Sequence, residues 1–349
     1  MGDREPQAIT VPTVSITPIS AADHGSLAAL FRAVAAAPAI GPGVRLQPGD
    51  LLDDEYQIER ELGAGGMGVV YLARDRTLDR PVAIKLHRRQ PGDDLERYLA
   101  EAMALARIGH PGVVAVFRAG VCRGQVYMAM EHVAGGNLRE WLAARPRSTR
   151  EIVDAFVQAG RGLAAAHAAG LVHCDFKPDN VLVGDDGRVR VGDFGLARAT
   201  AAQPPGDASA DAGEPVIVAG TPLYMAPEQH RGEEVGPATD QFAFCAALWE
   251  ALCGEPPFRG GSVAAIARAA SAGPPPPPAA LPRRLRGLIA RGLAPRAADR
   301  FPDMDALLAR LAATQRRRRW PWLLAAAAGL ALAAVLIVPR LRAPASAEA

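Results

Sequence analysis

Cysteine is scarce in this chain. There are 4 in 349 residues, and Cys122, Cys174, Cys245 and Cys253 show neither metal-type nor C-x-x-C spacing. They read as reduced thiols of a cytosolic domain. Charge of one sign is also missing: a formal net charge of +2 argues against nucleic-acid steering and against an acidic partner. No internal repeat is present. The N-terminus has no early apolar run and carries Asp3, Arg4 and Glu5, which excludes a secretory signal peptide. A G-K-[ST] sequence is absent, so the glycine-rich stretch near residue 65 is not a Walker loop.

What is present is apolar bulk and punctuation. With 49% hydrophobic residues, the chain can fill one large domain or two lobes. Residues 1–49, rich in Ala, Pro and Thr, are expected to be disordered. A short helix capped by Ser26 would place Leu27, Leu30, Phe31 and Val34 on one face. Gln203 to Pro215 reads as a mobile stretch, and Pro274 to Pro278 as extended polyproline II.

The most informative segment is His173-Cys174-Asp175-Phe176-Lys177-Pro178-Asp179-Asn180, followed by Asp193-Phe194-Gly195. Between them, Val181-Leu182-Val183 and Val189-Arg190-Val191 read as strands joined by the turn Gly184-Asp185-Asp186-Gly187. An antiparallel hairpin brings Asn180, entering the first strand, beside Asp193, leaving the second. A carboxylate and a carboxamide oxygen at one point suit Mg²⁺, a hard cation that takes oxygen ligands. Asp175 and Lys177 lie within reach of that point. Upstream, Leu62-Gly63-Ala64-Gly65-Gly66-Met67-Gly68-Val69-Val70 matches G-x-G-x-x-G-x-V. A dinucleotide-binding turn would open a helix, but Val69-Val70-Tyr71-Leu72 is strand-like, so the glycines cap a hairpin. There, backbone N–H groups can approach phosphate oxygens. Val82-Ala83-Ile84-Lys85 is a further strand ending in a lysine. In the helical pattern from Asp94 to Ile108, Glu101 interrupts an apolar face set by Tyr98 and Leu105. A buried Glu101 needs a partner, and Lys85 is the obvious one; a solvated Glu101 is the other reading.

Together these segments resemble the eukaryotic-like (Hanks-type) Ser/Thr protein kinases of bacteria, from about Tyr56 to about Leu311. The resemblance implies an α+β, two-lobed protein kinase fold, with a small β-rich N-lobe (about 56–131) and a large helical C-lobe (about 134–312). It implies ATP as phosphoryl donor, with Mg²⁺, or Mn²⁺ in its place, on Asn180 and Asp193, and protein substrates with Ser/Thr acceptors. Asp175 would accept the hydroxyl proton, Lys177 would steady the transferring group, and Lys85 with Glu101 would hold the α- and β-phosphates. The nucleotide cradle would be Leu62, Gly63, Ala64, Gly65, Gly66, Met67, Gly68, Val70 and Ala83. Tyr127 to Val133 matches the strand and hinge between lobes, with Met130 behind the adenine and the backbone of Glu131 and Val133 bonding it.

Ser148-Thr149-Arg150-Glu151 reads as a capping box opening a helix that buries Ile152, Phe156 and Leu163. Gly220 to Glu228 resembles the substrate-docking segment, with Glu228 expected to pair with Arg300; Lys177 and Thr221 point to Ser/Thr acceptors. Asp240 matches the helix under the catalytic loop. Two positions depart from the family pattern. Cys245 stands where glycine is usual, and Cys174 stands where many kinases have the arginine that meets a phosphorylated activation loop. Activity is therefore expected not to depend on phosphorylation at Thr200 or Ser209. A pseudokinase acting as a membrane-tethered scaffold is the alternative, and the presence of Lys85, Asp175 and Asp193 argues against it.

At the C-terminal end, Arg316 to Arg319 form a basic segment (313–319) before Trp320-Pro321-Trp322 and an uncharged run from Leu323 to Val338. As a helix, Trp322 to Val338 would span ~26 Å against a ~30 Å hydrocarbon core. The expectation is one transmembrane helix over 320–338 with an extracytoplasmic tail over 339–349. The arginines would hold the kinase domain on the cytoplasmic side of the bacterial inner membrane. A helix lying in the interface is the other reading. Membrane lipid and a second copy of the chain, as a homodimer, complete the expected partners.

Overall fold

A computed structural model of the chain describes residues 45–65, 68–87, 102–122, 125–194 and 221–315. The N-terminal lobe is a six-stranded antiparallel sheet. Its strands are β1 (Leu51–Leu52), β2 (Tyr56–Gly65), β3 (Gly68–Asp75), β4 (Arg80–His87), β5 (Val116–Cys122) and β6 (Gln125–Glu131), in the order β1-β2-β3-β4-β6-β5. Period-2 alternation buries Tyr56 and Ile58 on one face of β2. In the central strand β4, Val82 through His87 are all buried. Tyr71, Ile84, Leu86 and Tyr127 complete this core.

Order begins ahead of the expected boundary. Leu46 is buried in the same core, its N–H donates to Tyr71 Oη at 3.1 Å, and Leu51 pairs with Gln57. The buried side chain at 46 contributes to this, together with the backbone bonds of Gly49 and Ile58 that tie the run to β2. Residues 45–49 thus belong to the lobe rather than to a disordered tail.

The second lobe begins with β7 (Gly135–Asn137), which pairs with β8 (Val181–Gly184) and through it with β9 (Val189–Val191). Its helices are α1 (Leu138–Ala144), α2 (Thr149–Ala168), α3 (Pro227–Arg231), α4 (Pro237–Cys253), α5 (Val263–Ala272), α6 (Arg283–Gly292) and α7 (Met304–Ala313). A capping box opens α2: Glu151 N–H donates to Ser148 Oγ, and Ser148 N–H to Glu151 Oε2. The buried side of α2 carries Ile152, Phe156 and Leu163. Helix α4 is buried from Thr239 through Trp249 and forms the axis of the lobe, with Phe156 packed edge-on against Phe244 at 5.3 Å. Of the expected helix from Asp94 to Ile108, residues 102–106 are helical, and the part before them lies outside the described residues. So do the Ser26 helix, the stretch Gln203 to Pro215, and the expected membrane segment. Among the described residues no helix is long and apolar enough to cross a membrane.

The unusual Cys245 has a structural counterpart. It is fully buried on α4, and a Cβ built on Gly292 at the end of α6 would lie 2.2 Å from its sulfur. The thiol therefore occupies space that Gly292 leaves open, and burial pushes its pKa up to about 12, so it stays protonated. Gly292→Ala should destabilise the lobe by about 1–3 kcal/mol through overpacking, outweighing the helix-propensity gain of up to about 1 kcal/mol. In a Cys245→Ala background the same change should become neutral or stabilising. Thermal unfolding of the four proteins in this cycle checks the sign reversal.

His87, at the end of β4, is held well below the usual imidazole range, at about 4, by burial first and then by the neighbouring Lys85 ammonium. The unfolded chain binds the proton from about pH 6.5 downward, whereas the folded protein resists it until about pH 4. Between those values the unfolded state carries more protons, so stability falls as pH falls. The full effect is roughly 3 kcal/mol below pH 4. Unfolding followed from pH 7 to 4 should show this loss, and His87→Phe should flatten the slope.

Candidate active site

The loop between α2 and β8 is anchored from beneath by one carboxylate. Asp240, wholly buried on α4, accepts the N–H of His173 at 2.8 Å and of Cys174 at 2.9 Å, and meets His167 Nε2 of α2 at 2.7 Å. Cys174 sits at φ +60°. That is a strained setting for a residue with a side chain, and it is held by bonds on both sides. Its carbonyl accepts from Gln229 Nε2 at 2.8 Å. The His173 ring continues the scaffold upward. Its Nδ1 accepts the Asp175 N–H at 3.2 Å, so Nε2 carries the hydrogen and donates to Gly192 O at 2.9 Å. The ring lies 4.6 Å from that of Phe194.

Asp175 is thereby presented with its two oxygens in different surroundings. Oδ2 accepts from Lys177 Nζ at 2.8 Å and from Asn180 Nδ2 at 3.1 Å. Oδ1 is buried and has no donor among the described residues. Asn180 Nδ2 also donates to Asp175 O at 2.8 Å. Both groups on that side are acceptors, so the amide nitrogen must face them and its oxygen is left for another ligand.

The hairpin brings the second carboxylate alongside. Val181 pairs with Val191, and Gly192 N–H donates to Asn180 O at 2.9 Å, so Asp193 follows directly at φ +52°. Its Oδ1 accepts from Lys85 Nζ at 2.8 Å. Burial would raise the Asp193 pKa, but the charge and hydrogen bond of Lys85 hold it below the usual carboxylate range. The remaining oxygens of Asn180 and Asp193 are hard donors suited to Mg²⁺, which completes its shell with water and phosphate. Among the described residues no three His, Cys, Asp or Glu converge to hold an ion unaided. The sequence points Lys85 toward Glu101, which lies outside the described residues, as do Gly66 and Met67. Among the described residues Lys85 pairs with Asp193.

Above this centre, Gly63, Ala64 and Gly65 are exposed at the end of β2, and Gly65 pairs with Gly68 across a two-residue connection. Gly68 is at φ +149°, where a Cβ would lie 2.1 Å from Leu86 O, so only glycine fits. Leu62 is exposed, Val70 stands beside Lys85 in register, and buried Ala83 stands opposite Met130. Met130 also lines a small cavity with Lys85, Met128, Asp193 and Phe194. At the hinge, the Glu131 N–H is committed to Ala115 O at 2.8 Å. Of that residue's backbone only the carbonyl can serve an adenine, which narrows the expectation. Val133 makes no backbone hydrogen bond among the described residues, leaving its N–H and C=O for a ligand.

The docking segment is tied down by Glu228, whose carboxylate takes two bonds from buried Arg300, at 2.6 and 2.8 Å. Burial works against the charged form, but this fork keeps the Glu228 pKa below its usual value. Three residues not singled out by sequence also act here. Gln229 joins Cys174 O to the N–H of Ala226. Arg139 on α1 binds Asp179 of the catalytic loop at 3.0 Å, Tyr224 Oη at 2.7 Å and Glu250 at 3.1 Å. Arg190 on β9 meets Glu131 at the hinge. A lone arginine on an amphipathic helix or a short strand carries no spacing signal, because its partners are distant in sequence.

Comparison with known proteins agrees with this geometry. Residues 56–308 match the family described as protein kinase domain. The chain is 37% identical over 271 residues to the serine/threonine-protein kinase PknL of Mycobacterium tuberculosis (strain ATCC 25618 / H37Rv), covering 75% of this chain and 66% of that protein. It is 37% identical to PknA of the same strain over 63% of this chain and 51% of PknA. With PknB of Mycolicibacterium smegmatis (strain ATCC 700084 / mc(2)155) it shares 38% identity over 62% of this chain and 35% of PknB. The matches thus span two thirds or less of these relatives. A kinase match over most of the chain, on a fold that sets Lys85, Asp175, Asn180 and Asp193 around one cleft, places this chain in the protein kinase family.

Proposed function

We propose that the chain transfers the γ-phosphate of ATP to Ser or Thr hydroxyls of proteins. The observation that carries this reading is the asymmetry of Asp175: one oxygen is neutralised by Lys177 and Asn180, the other is buried without a donor. A buried carboxylate oxygen left open is costly unless something supplies a hydrogen bond, and a substrate hydroxyl does so. In that pose Asp175 orients the hydroxyl and takes its proton, while Lys177 offsets charge on the transferring group. Lys85 releases Asp193 in part and holds phosphate oxygens; the glycine-loop amides cover them. Asn180 and Asp193 would hold Mg²⁺, which would supply charge neutralisation at the phosphates. The protein's work is positioning and electrostatics rather than covalent chemistry. The basic and apolar composition of residues 316–338 supports single-pass anchoring in the bacterial inner membrane, with the kinase domain cytoplasmic and a signalling role there.

Asp175→Asn should abolish transfer to a generic protein substrate while nucleotide binding persists, because the adenine and phosphate contacts lie elsewhere. Lys85→Met should also stop transfer. Incorporation of labelled phosphate, with nucleotide affinity measured in parallel, checks both. Near-wild-type turnover in Asp175→Asn would refute the assignment, and a wild type that binds ATP without transferring phosphate would favour the scaffold reading.

The anchor is tested separately. Full-length protein should sediment with membranes and need detergent for release, whereas a chain truncated before Trp320 should be soluble and active. Recovery of the full chain in the soluble fraction without detergent rules the anchor out.

A further inference from the structure

The hairpin β8–β9 holds more than the metal-side residues. Arg190, in the middle of β9, is buried, and its guanidinium bridges two carboxylates. Nε lies 2.9 Å from Glu131 Oε1 at the hinge, and Nη2 lies 2.9 Å from Asp186 Oδ2 in the turn of its own hairpin. The Asp186 bonds fix the fork on the hairpin, so its reach to Glu131 is set by the hairpin and not by the hinge. Glu131 is then held at both ends. Its N–H is on Ala115 O, and its carboxylate is on Arg190. Just beyond it, Ala134 O accepts the N–H of Asp185, and β7 pairs with β8 from Gly135 to Asn137. The hinge backbone between Glu131 and Ala134, which includes the open groups of Val133, is therefore stretched between two attachments to one hairpin. The foot of that hairpin carries Asn180 and Asp193.

We propose that Arg190 is a positioning residue for the purine. By clamping Glu131 it fixes the peptide planes at the hinge, so that the Glu131 carbonyl and the Val133 backbone meet an adenine edge with the correct donor and acceptor order. Adenine presents an amino donor where guanine presents a carbonyl. A hinge held in one orientation selects between them, and a hinge free to turn its peptides does not. The ion pair thus indexes base recognition to the same rigid element that positions the metal-side oxygens. This inference rests on the nucleotide occupying the hinge, as the proposed function requires.

The test reads nucleotide binding, not turnover, so that it stands apart from the phosphoryl-transfer assignment. Affinities for ADP and GDP are measured on the full-length protein in detergent, for wild type, Arg190→Met, Arg190→Lys, Glu131→Ala and the double variant Arg190→Met with Glu131→Ala. Wild type should prefer ADP. Arg190→Met should weaken ADP at least fivefold and GDP less than twofold, collapsing the preference. Arg190→Lys should recover part of it. Glu131→Ala, a partly exposed position that tolerates truncation if the buried Arg190→Met fails to fold, should give the same collapse. The double variant should be no worse than either single change. Equal weakening of both nucleotides, an unchanged ADP affinity, or a wild type without purine preference overturns the proposal. A wild type that binds ADP selectively but transfers no phosphate leaves it standing and defeats the kinase reading alone.

Discussion

The catalytic half of this molecule hangs on the buried carboxylate of Asp240. Placing an ionised group where no water reaches is costly unless donors surround it. Here the two backbone N–H groups of His173 and Cys174, with the His167 ring, supply that compensation. The exchange fixes more than a charge. Because the donors are consecutive amides, the chain must turn through the left-handed conformation at Cys174, which aims the following residues upward. His173 then passes the order on through its ring, to Asp175 N–H on one side and Gly192 O on the other. One carboxylate thereby sets the positions of Asp175 and of Gly192, the residue preceding Asp193. Truncating it would leave two amides and a ring without acceptors in the core, a loss that packing could not repair.

The rest of the site is arranged so that no charge is left bare. Lys85 is nearly inaccessible and sits against Asp193, while Lys177 sits against Asp175. Each lysine faces a carboxylate that would otherwise repel incoming phosphates. An anionic nucleotide with its cation can replace these pairings one for one. That lowers the desolvation cost of binding at Lys85 and Asp175, whose charges are already out of water, while Asp193 stays partly exposed.

Much of this was readable from sequence because the informative residues are close neighbours along the chain. The hairpin spacing brings Asn180 and Asp193 together without any knowledge of tertiary structure, and the Ser148–Glu151 box announces α2. The glycine pattern with a following strand distinguishes a phosphate-covering hairpin from a helix-opening turn. What could not be read depends on distant partners. Arg139 reaches Asp179, Tyr224 and Glu250, and Arg190 reaches the hinge; nothing in local spacing marks either. The N-terminal limit of the lobe also depends on a distant partner, since Leu46 is fixed by Tyr71 from another strand. Cys245 reads as an anomaly until Gly292 is seen beneath it, and the pair is complementary only in three dimensions.

Cys174 shows how the lost arginine can be tolerated. A charged tie from that position to a phosphorylated loop would be worth about 1.5–3 kcal/mol, and it would exist only after modification. In its place the Gln229 amide links the Cys174 carbonyl to the docking segment at Ala226, a neutral bridge in the range of about 1 kcal/mol per bond. Arg139 adds a second link, from Asp179 of the catalytic loop to Tyr224 of the docking segment. Each tie is weaker or more exposed than a phosphate–arginine pair, but neither needs a phosphate, and both act on the segment that must lie beside Asp175 for a protein substrate to dock. The two links act in parallel with the Glu228–Arg300 fork, so the segment stays attached when either link is broken. Together they hold the docking segment against the catalytic loop without a charge at Cys174.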